Sequence, residues 1–354
     1  MPEFHTLEIA DVTPVTDDAT SIAFKVPAEL GEAYTFIPGQ YLTLKTDIDG
    51  EEVRRSYSIC STRDEGELRV AVKRVPDGRF SNYANEKVRA GDKIDVMTPM
   101  GKFCAPQNGA SGHNYVGFVG GSGITPFMSI IKTVLAHEPE STFTLFYGNR
   151  TIPSIMFREE LSDLKDQYLG RFSLFHILSD ERPDLEMFHG MLDREKVDHL
   201  LDNLVDLDEA DYFFICGPSP MMDAVRSALD ARGVPQEKQR YELFGSPLPQ
   251  AGPKAAPEAS DERAEVTVVI HGDRTTFDPP YDGTSLLDGA MARNLDLPYS
   301  CKGGVCCTCR AKLIEGEVDM DVSFGLDPAE IEEGYILACQ SHPKSKTIVV
   351  DYDA

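Results

Sequence analysis

Between residues 5 and 104 the apolar positions fall in short alternating segments, such as Leu42-Thr43-Leu44 and Leu68-Arg69-Val70-Ala71-Val72. The turn pairs Pro38-Gly39, Asp49-Gly50, Asp77-Gly78 and Ala90-Gly91 interrupt them. Alternation with frequent turn signals predicts many short strands, and so an antiparallel β-barrel. Near residue 113 the pattern changes. A continuous apolar run from Tyr115 to Val119 leads into Gly120-Gly121-Ser122-Gly123 and a helical stretch starting around Thr125-Pro126. Further buried-strand runs occur at Thr142 to Tyr147, Phe172 to Leu178 and Tyr212 to Cys216, with helical patterns between them, which predicts an α/β parallel sheet.

From Ser246 to Glu262 the chain is rich in Pro, Ala and Gly and has little to bury, the composition of a semi-rigid tether. A third region opens with the strand Glu265 to His271. The expected division is therefore a barrel over 1–107, a parallel sheet over 108–245, a linker over 246–263 and a small domain over 264–354. A chain of 354 residues is long enough for three cores.

The formal charge of −25 opposes binding to phosphate backbones or anionic membranes, so no nucleic-acid or membrane partner is expected. Residues 264–354 alone carry 7 Lys+Arg against 16 Asp+Glu. The start, Met-Pro-Glu-Phe-His, lacks a basic region followed by an apolar run, and no stretch of about 18 apolar residues occurs, so a cytoplasmic location is expected. In that reducing compartment eight cysteines serve as metal ligands or buried thiols rather than disulfides.

Cys301-x4-Cys306-x2-Cys309, with Cys339 30 positions later, has the spacing of a plant-type [2Fe–2S] ferredoxin. Two irons each need two outer sulfurs, and a loop of three cysteines plus one distant cysteine supplies them. Gly303, Gly304 and Thr308 leave room for backbone N–H groups to approach those sulfurs. The competing readings are a zinc site, whose ligands usually come as paired C-x2-C, and a group of free thiols. Cys307, between two ligands, is expected to point away from the metal and receives no role.

In the barrel region, Arg55-Ser56-Tyr57-Ser58 ends a predicted strand and Gly78-Arg79-Phe80-Ser81 follows another. Together they offer a flavin dinucleotide a guanidinium for its pyrophosphate, an aromatic ring for its ring system, a hydroxyl near its reacting edge and a Gly/Ser turn. A surface charge at Arg55 and a core aromatic at Tyr57 is the alternative. Gly120 to Gly123 follow a buried strand and precede a helix, where N–H groups and the helix dipole receive a pyrophosphate.

On these motifs the chain resembles the ferredoxin–NADP reductase superfamily. The resemblance implies FAD in the barrel, held by Arg55, Ser56, Tyr57 and Ser58 and by Gly78, Phe80 and Ser81. It implies NADPH on the loop Gly121, Gly123, Thr125 and Pro126, and on Cys216-Gly217-Pro218, with Cys216 next to the nicotinamide. The closing Glu242-Leu243-Phe244 resembles the family's Glu-x-Phe, in which the aromatic ring covers the flavin; a plain aromatic plug at Phe244 is the alternative. Ser58, Cys216 and Glu242 are thereby the expected residues at the reacting edge. NADPH is favoured over NADH by Arg150 and Ser154, since no acid follows the strand Thr142 to Tyr147 before Glu159. Cys301, Cys306, Cys309 and Cys339 are the expected ligands of the [2Fe–2S] cluster, in a β-grasp, ferredoxin-like α+β domain.

NADPH gives two electrons as one hydride, whereas a [2Fe–2S] cluster takes one at a time, and a flavin couples the two. From Phe4-His5-Thr6-Leu7 to Val350-Asp351-Tyr352-Asp353-Ala354 the chain is similar to the reductase subunits of multicomponent phenylacetyl-CoA epoxidases, which implies a separate di-iron oxygenase component as electron acceptor. Reductases of other aromatic-ring, alkane or steroid oxygenases share these motifs and remain the alternative; a flavin and iron–sulfur sensor without turnover is the alternative of a different class.

Overall fold

The computed structural model describes residues 3–106, 111–244 and 263–354. The chain divides into two compact units, one spanning Phe4–Glu242 and one made chiefly of Leu243–Ala354. Most of the expected tether, 246–263, lies outside the described residues.

In the first unit, β1 (Phe4–Thr16), β2 (Ala19–Lys25), β3 (Tyr41–Ile48), β4 (Glu51–Ser58), β5 (Leu68–Lys73) and β6 (Lys93–Met97) form a six-stranded sheet in the order β4-β3-β6-β1-β2-β5. An antiparallel bridge between Ile59 and Val70 brings its two edges together, which closes the barrel. Leu7, Ile22, Leu42, Leu44, Val70 and Val96 are buried in its core. The β3–β4 hairpin turns at Asp49 and Gly50, both with positive φ (57° and 81°), as a tight two-residue hairpin requires. Helix α1 (Arg79–Glu86) plugs the barrel with Phe80 and Ala84. Arg79 ties α1 to that hairpin through the Ile48 carbonyl (2.7 Å) and Glu51.

The parallel sheet follows with β7 (Asn114–Gly120), α2 (Ile124–His137), β8 (Thr142–Asn149), α3 (Arg158–Gln167), β9 (Phe172–Leu178), α4 (Arg194–Leu204), β10 (Tyr212–Gly217), α5 (Ser219–Ala231) and β11 (Gln239–Leu243). Its order is β11-β10-β7-β8-β9, with β7 parallel to both β8 and β10. The chain leaves β7 for β8 on one side and later returns to β10 on the other. In such sheets, ligands bind outside the carboxyl ends of the strands where that reversal occurs.

Barrel and sheet share one core. Cys60, Ala71 and Phe103 pack with Phe127, Ile130 and Ile131 of α2. The buried Ser129 hydroxyl donates to the Ser61 carbonyl at 2.7 Å, and Lys132 reaches Glu65 (2.7 Å) and Glu160 (2.8 Å). Gly39 is required at this seam: φ is 101°, and an added Cβ would lie 1.9 Å from the Phe103 carbonyl oxygen.

In the second unit, β12 (Glu265–Ile270), β13 (Asp273–Phe277), β14 (Arg310–Glu315), β16 (Tyr335–Leu337) and β18 (Thr347–Asp351) form a mixed sheet in the order β13-β12-β18-β14-β16. The short pair β15 (Val318–Met320) and β17 (Ser341–Pro343) stands beside it. Helix α6 (Leu286–Met291) is capped by the Ser285 hydroxyl, which accepts from the Asp288 N–H at 3.1 Å. Helix α7 (Pro328–Glu332) carries a capping box between Asp327 and Glu330. The sheet grasps α6, and residues 301–309 connect α6 to β14.

Candidate functional site

The carboxyl ends of β7 and β10 approach so closely that only glycine fits. A Cβ on Gly123 would lie 2.2 Å from the Cys216 carbonyl oxygen, one on Gly217 would lie 2.8 Å from the Gly120 nitrogen, and one on Gly120 would meet Pro218 at 2.6 Å. Gly121 has φ 53° and its carbonyl accepts from the buried Tyr147 hydroxyl at 3.0 Å. Thr125 holds the loop from the other side, donating to the Ser122 carbonyl at 3.1 Å. The N-termini of α2 and α5 therefore open at one crevice, and both dipoles favour an anion there.

Beside that crevice the Ser58 hydroxyl, at the end of β4, donates to Glu242 of β11 at 3.0 Å. Burial pushes the Glu242 carboxyl up to about 8, only partly offset by that hydrogen bond. The charge of Glu242 also bears on Cys216 and on Cys104, whose thiols burial has already raised, Cys104 to about 12. Ser58, Cys216 and Glu242 are thus brought together from the barrel, from β10 and from β11. Cys216 is fully buried, and burial keeps its thiol protonated, which is unlike a nucleophilic cysteine.

On the barrel side Tyr57 packs against Phe80 with ring centroids 5.4 Å apart. Arg54, not Arg55, is the buried arginine of the pair; it holds Glu52 at 2.8 Å and lies over the Phe4 ring. Arg55 is exposed, and one of its amino groups donates to the Arg54 carbonyl at 2.7 Å, which orients the guanidinium. Ser56 pairs with Thr43 at 3.0 Å. Gly78 caps α1, where a Cβ would meet the Ser81 hydroxyl at 2.4 Å. The Ser81 hydroxyl accepts from the Val75 N–H (3.1 Å) and donates to the Gly78 carbonyl (3.2 Å). What remains for a phosphate here is the first-turn N–H groups of α1, not the serine hydroxyl. Such N–H groups suit a phosphate.

In the second unit the four cysteines come as two pairs. Cys301 and Cys306 share a hydrogen bond, as do Cys309 and Cys339. Within each pair one thiol is favoured as the thiolate acceptor: Cys301 is drawn down to about 5 by the Cys306 hydrogen bond and by N–H groups of Gly303, Val305 and Cys306, and Cys339 is lowered by Cys309 and Gln340. Their partners Cys306 and Cys309 are raised. The Gly303 N–H reaches the Cys301 sulfur at 3.3 Å, the Thr308 hydroxyl reaches Cys306 at 3.2 Å, and the Gln340 amide reaches Cys339 at 3.5 Å. Gly304 makes this possible with φ 74°, its Cα side closed by Val322. Two thiol pairs inside a cage of N–H donors fit a binuclear [2Fe–2S] cluster. The Cys307 thiol turns to the Gly325 carbonyl, as expected for a residue that is not a ligand.

At the far rim of the crevice, β8 ends in Asn149-Arg150, with Arg150 exposed. The Ser154 hydroxyl closes a capping box with Thr151, donating to its carbonyl at 2.7 Å. Glu181, from the segment after β9, accepts from the Ile152 N–H at 3.1 Å, and Asp180 donates its N–H to the Arg150 carbonyl at 2.9 Å. Phe244 is partly exposed, two residues beyond Glu242.

Three family models match in the order of these regions: the oxidoreductase FAD-binding domain over residues 6–104, the oxidoreductase NAD-binding domain over 118–227 and the 2Fe-2S iron-sulfur cluster binding domain over 268–344. The chain is 45% identical over 354 residues to one of the subunits of 1,2-phenylacetyl-CoA epoxidase from Escherichia coli K12, covering 100% of this chain and 99% of the relative. It belongs to the flavin and [2Fe–2S] reductases of the ferredoxin–NADP reductase superfamily. The reductase is also 33% identical over 353 residues to the ferredoxin reductase component of 3-ketosteroid-9-alpha-monooxygenase from Rhodococcus rhodochrous, covering 98% of this chain and 96% of that one. Its fold matches phthalate dioxygenase reductase with a TM-score of 0.61 and 25% identity, covering 98% of both chains. It is an NAD(P)H-dependent oxidoreductase with FAD-, NAD- and [2Fe–2S]-binding regions.

Reading along the chain missed three features of the reductase. The acid at the β8 rim comes from the segment after the neighbouring strand, so a search of the residues after β8 alone does not find Glu181. Tyr147 as the brace of Gly121 follows only from the sheet register. Cys104 joins the Glu242 pocket from the segment after the barrel. Among the described residues no helix is long and apolar enough to cross a membrane.

Proposed function

We propose that the reductase takes a hydride from NADPH and passes the electrons through FAD and the [2Fe–2S] cluster to the di-iron oxygenase of a phenylacetyl-CoA epoxidase in phenylacetate degradation, in the cytoplasm. When bound, FAD and the cluster convert one two-electron donation into two single transfers. The observation that carries the reading is the convergence of Ser58, Cys216 and Glu242 between barrel and sheet, on a chain whose second unit holds two thiol pairs. The relative at 45% identity over the full length supports the choice of oxygenase.

In this proposal 1–107 binds FAD, 108–245 binds the nucleotide, 246–263 is a linker and 264–354 holds the cluster. Arg55 and the α1 N-terminus take the FAD pyrophosphate, with Ser56, Tyr57, Gly78, Phe80 and Ser81 shaping the site. Gly121, Gly123, Thr125, Pro126, Gly217 and Pro218 shape the nucleotide pyrophosphate site. Cys216 and Ser58 bound the space where nicotinamide and flavin meet, Glu242 holds a proton there at neutral pH, and Phe244 covers the flavin when nicotinamide is away. Arg150, with Ser154 shaping its loop, selects the 2′-phosphate of NADPH, while Glu181 on the same rim favours free ribose hydroxyls and so leaves NADH as a usable donor. Cys301, Cys306, Cys309 and Cys339 bind the cluster.

The test is an anaerobic visible-spectrum titration with NADPH and NADH, followed by reconstitution with phenylacetyl-CoA and ketosteroid oxygenase components. Bleaching of both flavin and cluster bands, and product only with the first oxygenase, is the expected outcome. Product only with the second rejects the assignment of partner.

A further inference from the structure

Tyr352 follows β18, the central strand of the second unit's sheet, and its N–H continues the pairing by donating to the Val269 carbonyl at 2.9 Å. Lys312 lies opposite Asp351, so one further step sets Tyr352 opposite Ala311, on the same face as Val350. Ala311 and Val350 are buried on that face, the buried Cys309 lies two residues before Ala311 in the turn ahead of β14, and Tyr352 packs against the cluster of side chains that contains Cys309 and Cys339.

Its hydroxyl is buried and has no hydrogen-bond partner. Among the described residues it is the one tyrosine hydroxyl so placed. The buried Tyr34 hydroxyl donates to the Val96 carbonyl at 2.6 Å, Tyr115 to Glu138 at 3.0 Å and Tyr147 to the Gly121 carbonyl at 3.0 Å. A buried hydroxyl normally finds an acceptor. Burial raises the Tyr352 hydroxyl, and Cys309 and Cys339 are the groups whose charge, once they are ionised, would bear on it. Among the described residues nothing accepts from it, the cysteine sulfurs included.

Resting on the [2Fe–2S] reading, we propose that the Tyr352 hydroxyl donates a hydrogen bond to sulfur at the Cys309–Cys339 end of the bound cluster and raises its reduction potential. A hydrogen bond to a cluster sulfur withdraws negative charge and makes the added electron less costly. Gln340 supplies one such donor to Cys339, and Tyr352 supplies another from the hydrophobic side. The tyrosine tunes the cluster and takes no part in hydride transfer.

The experiment compares Tyr352→Phe with the wild-type holoprotein by spectroelectrochemistry and by resonance Raman in H2O and D2O. The variant is expected to have a more negative cluster potential and to lose part of the deuterium shift of the Fe–S stretching bands, with flavin reduction by NADPH unchanged. Equal potentials and equal deuterium shifts overturn the proposal. If the phenylalanine variant holds no cluster, 3-fluorotyrosine at position 352 replaces it: the shape is kept, the donor is stronger, and the potential is expected to move upward, while an unchanged potential again overturns the proposal. A wild-type protein without iron and sulfide would instead reject the cluster reading itself.

Discussion

The Ser58 hydroxyl donates to Glu242 at 3.0 Å and so joins the last residue of a barrel strand to the edge strand of the parallel sheet. Neither residue is near the other in the chain, and each is half of a site that exists only when both layers are assembled. Burial holds the Glu242 carboxyl protonated up to about pH 8, compared with 4.5 for an ordinary glutamate. Between those values the unfolded chain has released a proton that the folded chain retains, so this group's contribution falls as pH rises from about 4.5 to about 8 and is level above. Glu242→Gln removes that slope, which melting temperatures across the range will show. Flavin reduction should also lose an inflection near pH 8 in the variant, as stopped-flow measurements would record.

Ser58→Ala leaves the Glu242 carboxyl without its donor. Loss of a buried partner costs about 1–3 kcal/mol. The rate of flavin reduction is expected to fall on the order of tenfold, which corresponds to about 1.4 kcal/mol of lost positioning. Threonine at the same position should recover most of the rate, since it restores the hydroxyl.

Gly123→Ala places a methyl group 2.2 Å from the Cys216 carbonyl oxygen. The two loops must separate, at a cost of about 1–3 kcal/mol in stability and with the nucleotide crevice opened. Denaturant unfolding and nucleotide titration should both register the change, whereas FAD content should not.

Cys339→Ser breaks one thiol pair in the second unit and leaves Phe4–Glu242 untouched. The cluster absorbance should vanish while NADPH still bleaches the flavin at nearly the wild-type rate. Simultaneous loss of both signals would show that the two units depend on one another.

Arg150→Ala should raise the KM for NADPH roughly tenfold or more and that for NADH little, since loss of one charge-assisted contact to phosphate is worth about 1.5–3 kcal/mol. Glu181→Gln should have the opposite bias, weakening NADH more. Equal effects on both donors would remove Arg150 from the selection of the 2′-phosphate.

How much could be read from the sequence depended on whether partners lie near one another along the chain. The strand Phe172–Leu178 falls where the apolar run places it, and β8 extends two residues beyond its predicted end. The proposed cluster ligands stand out because three of them share one loop, and the glycine loop because close approach demands residues without side chains. The buried member of Arg54-Arg55 was not legible: strand alternation alone does not say which face an irregular barrel buries, and Glu52 and the Phe4 ring decide it. Glu181 escaped for a related reason, since a parallel sheet places the ends of β8 and β9 side by side although about 30 residues separate them, as crossover connections require. The unpaired Tyr352 hydroxyl has no sequence signal at all, because a tyrosine after a core strand ordinarily reads as packing.

The crevice where β7 meets β10 is made almost wholly of main chain, so its capacity to hold a dinucleotide tolerates scarcely any substitution. The rim at Arg150 and Glu181 is made of side chains at or near the surface, where replacement touches little more than the hydrogen bond from Ile152 to Glu181. Holding a nicotinamide carrier is therefore tied to the backbone of this protein, whereas the choice between the two carriers, if the rim makes it as proposed, is open to engineering without refolding the molecule.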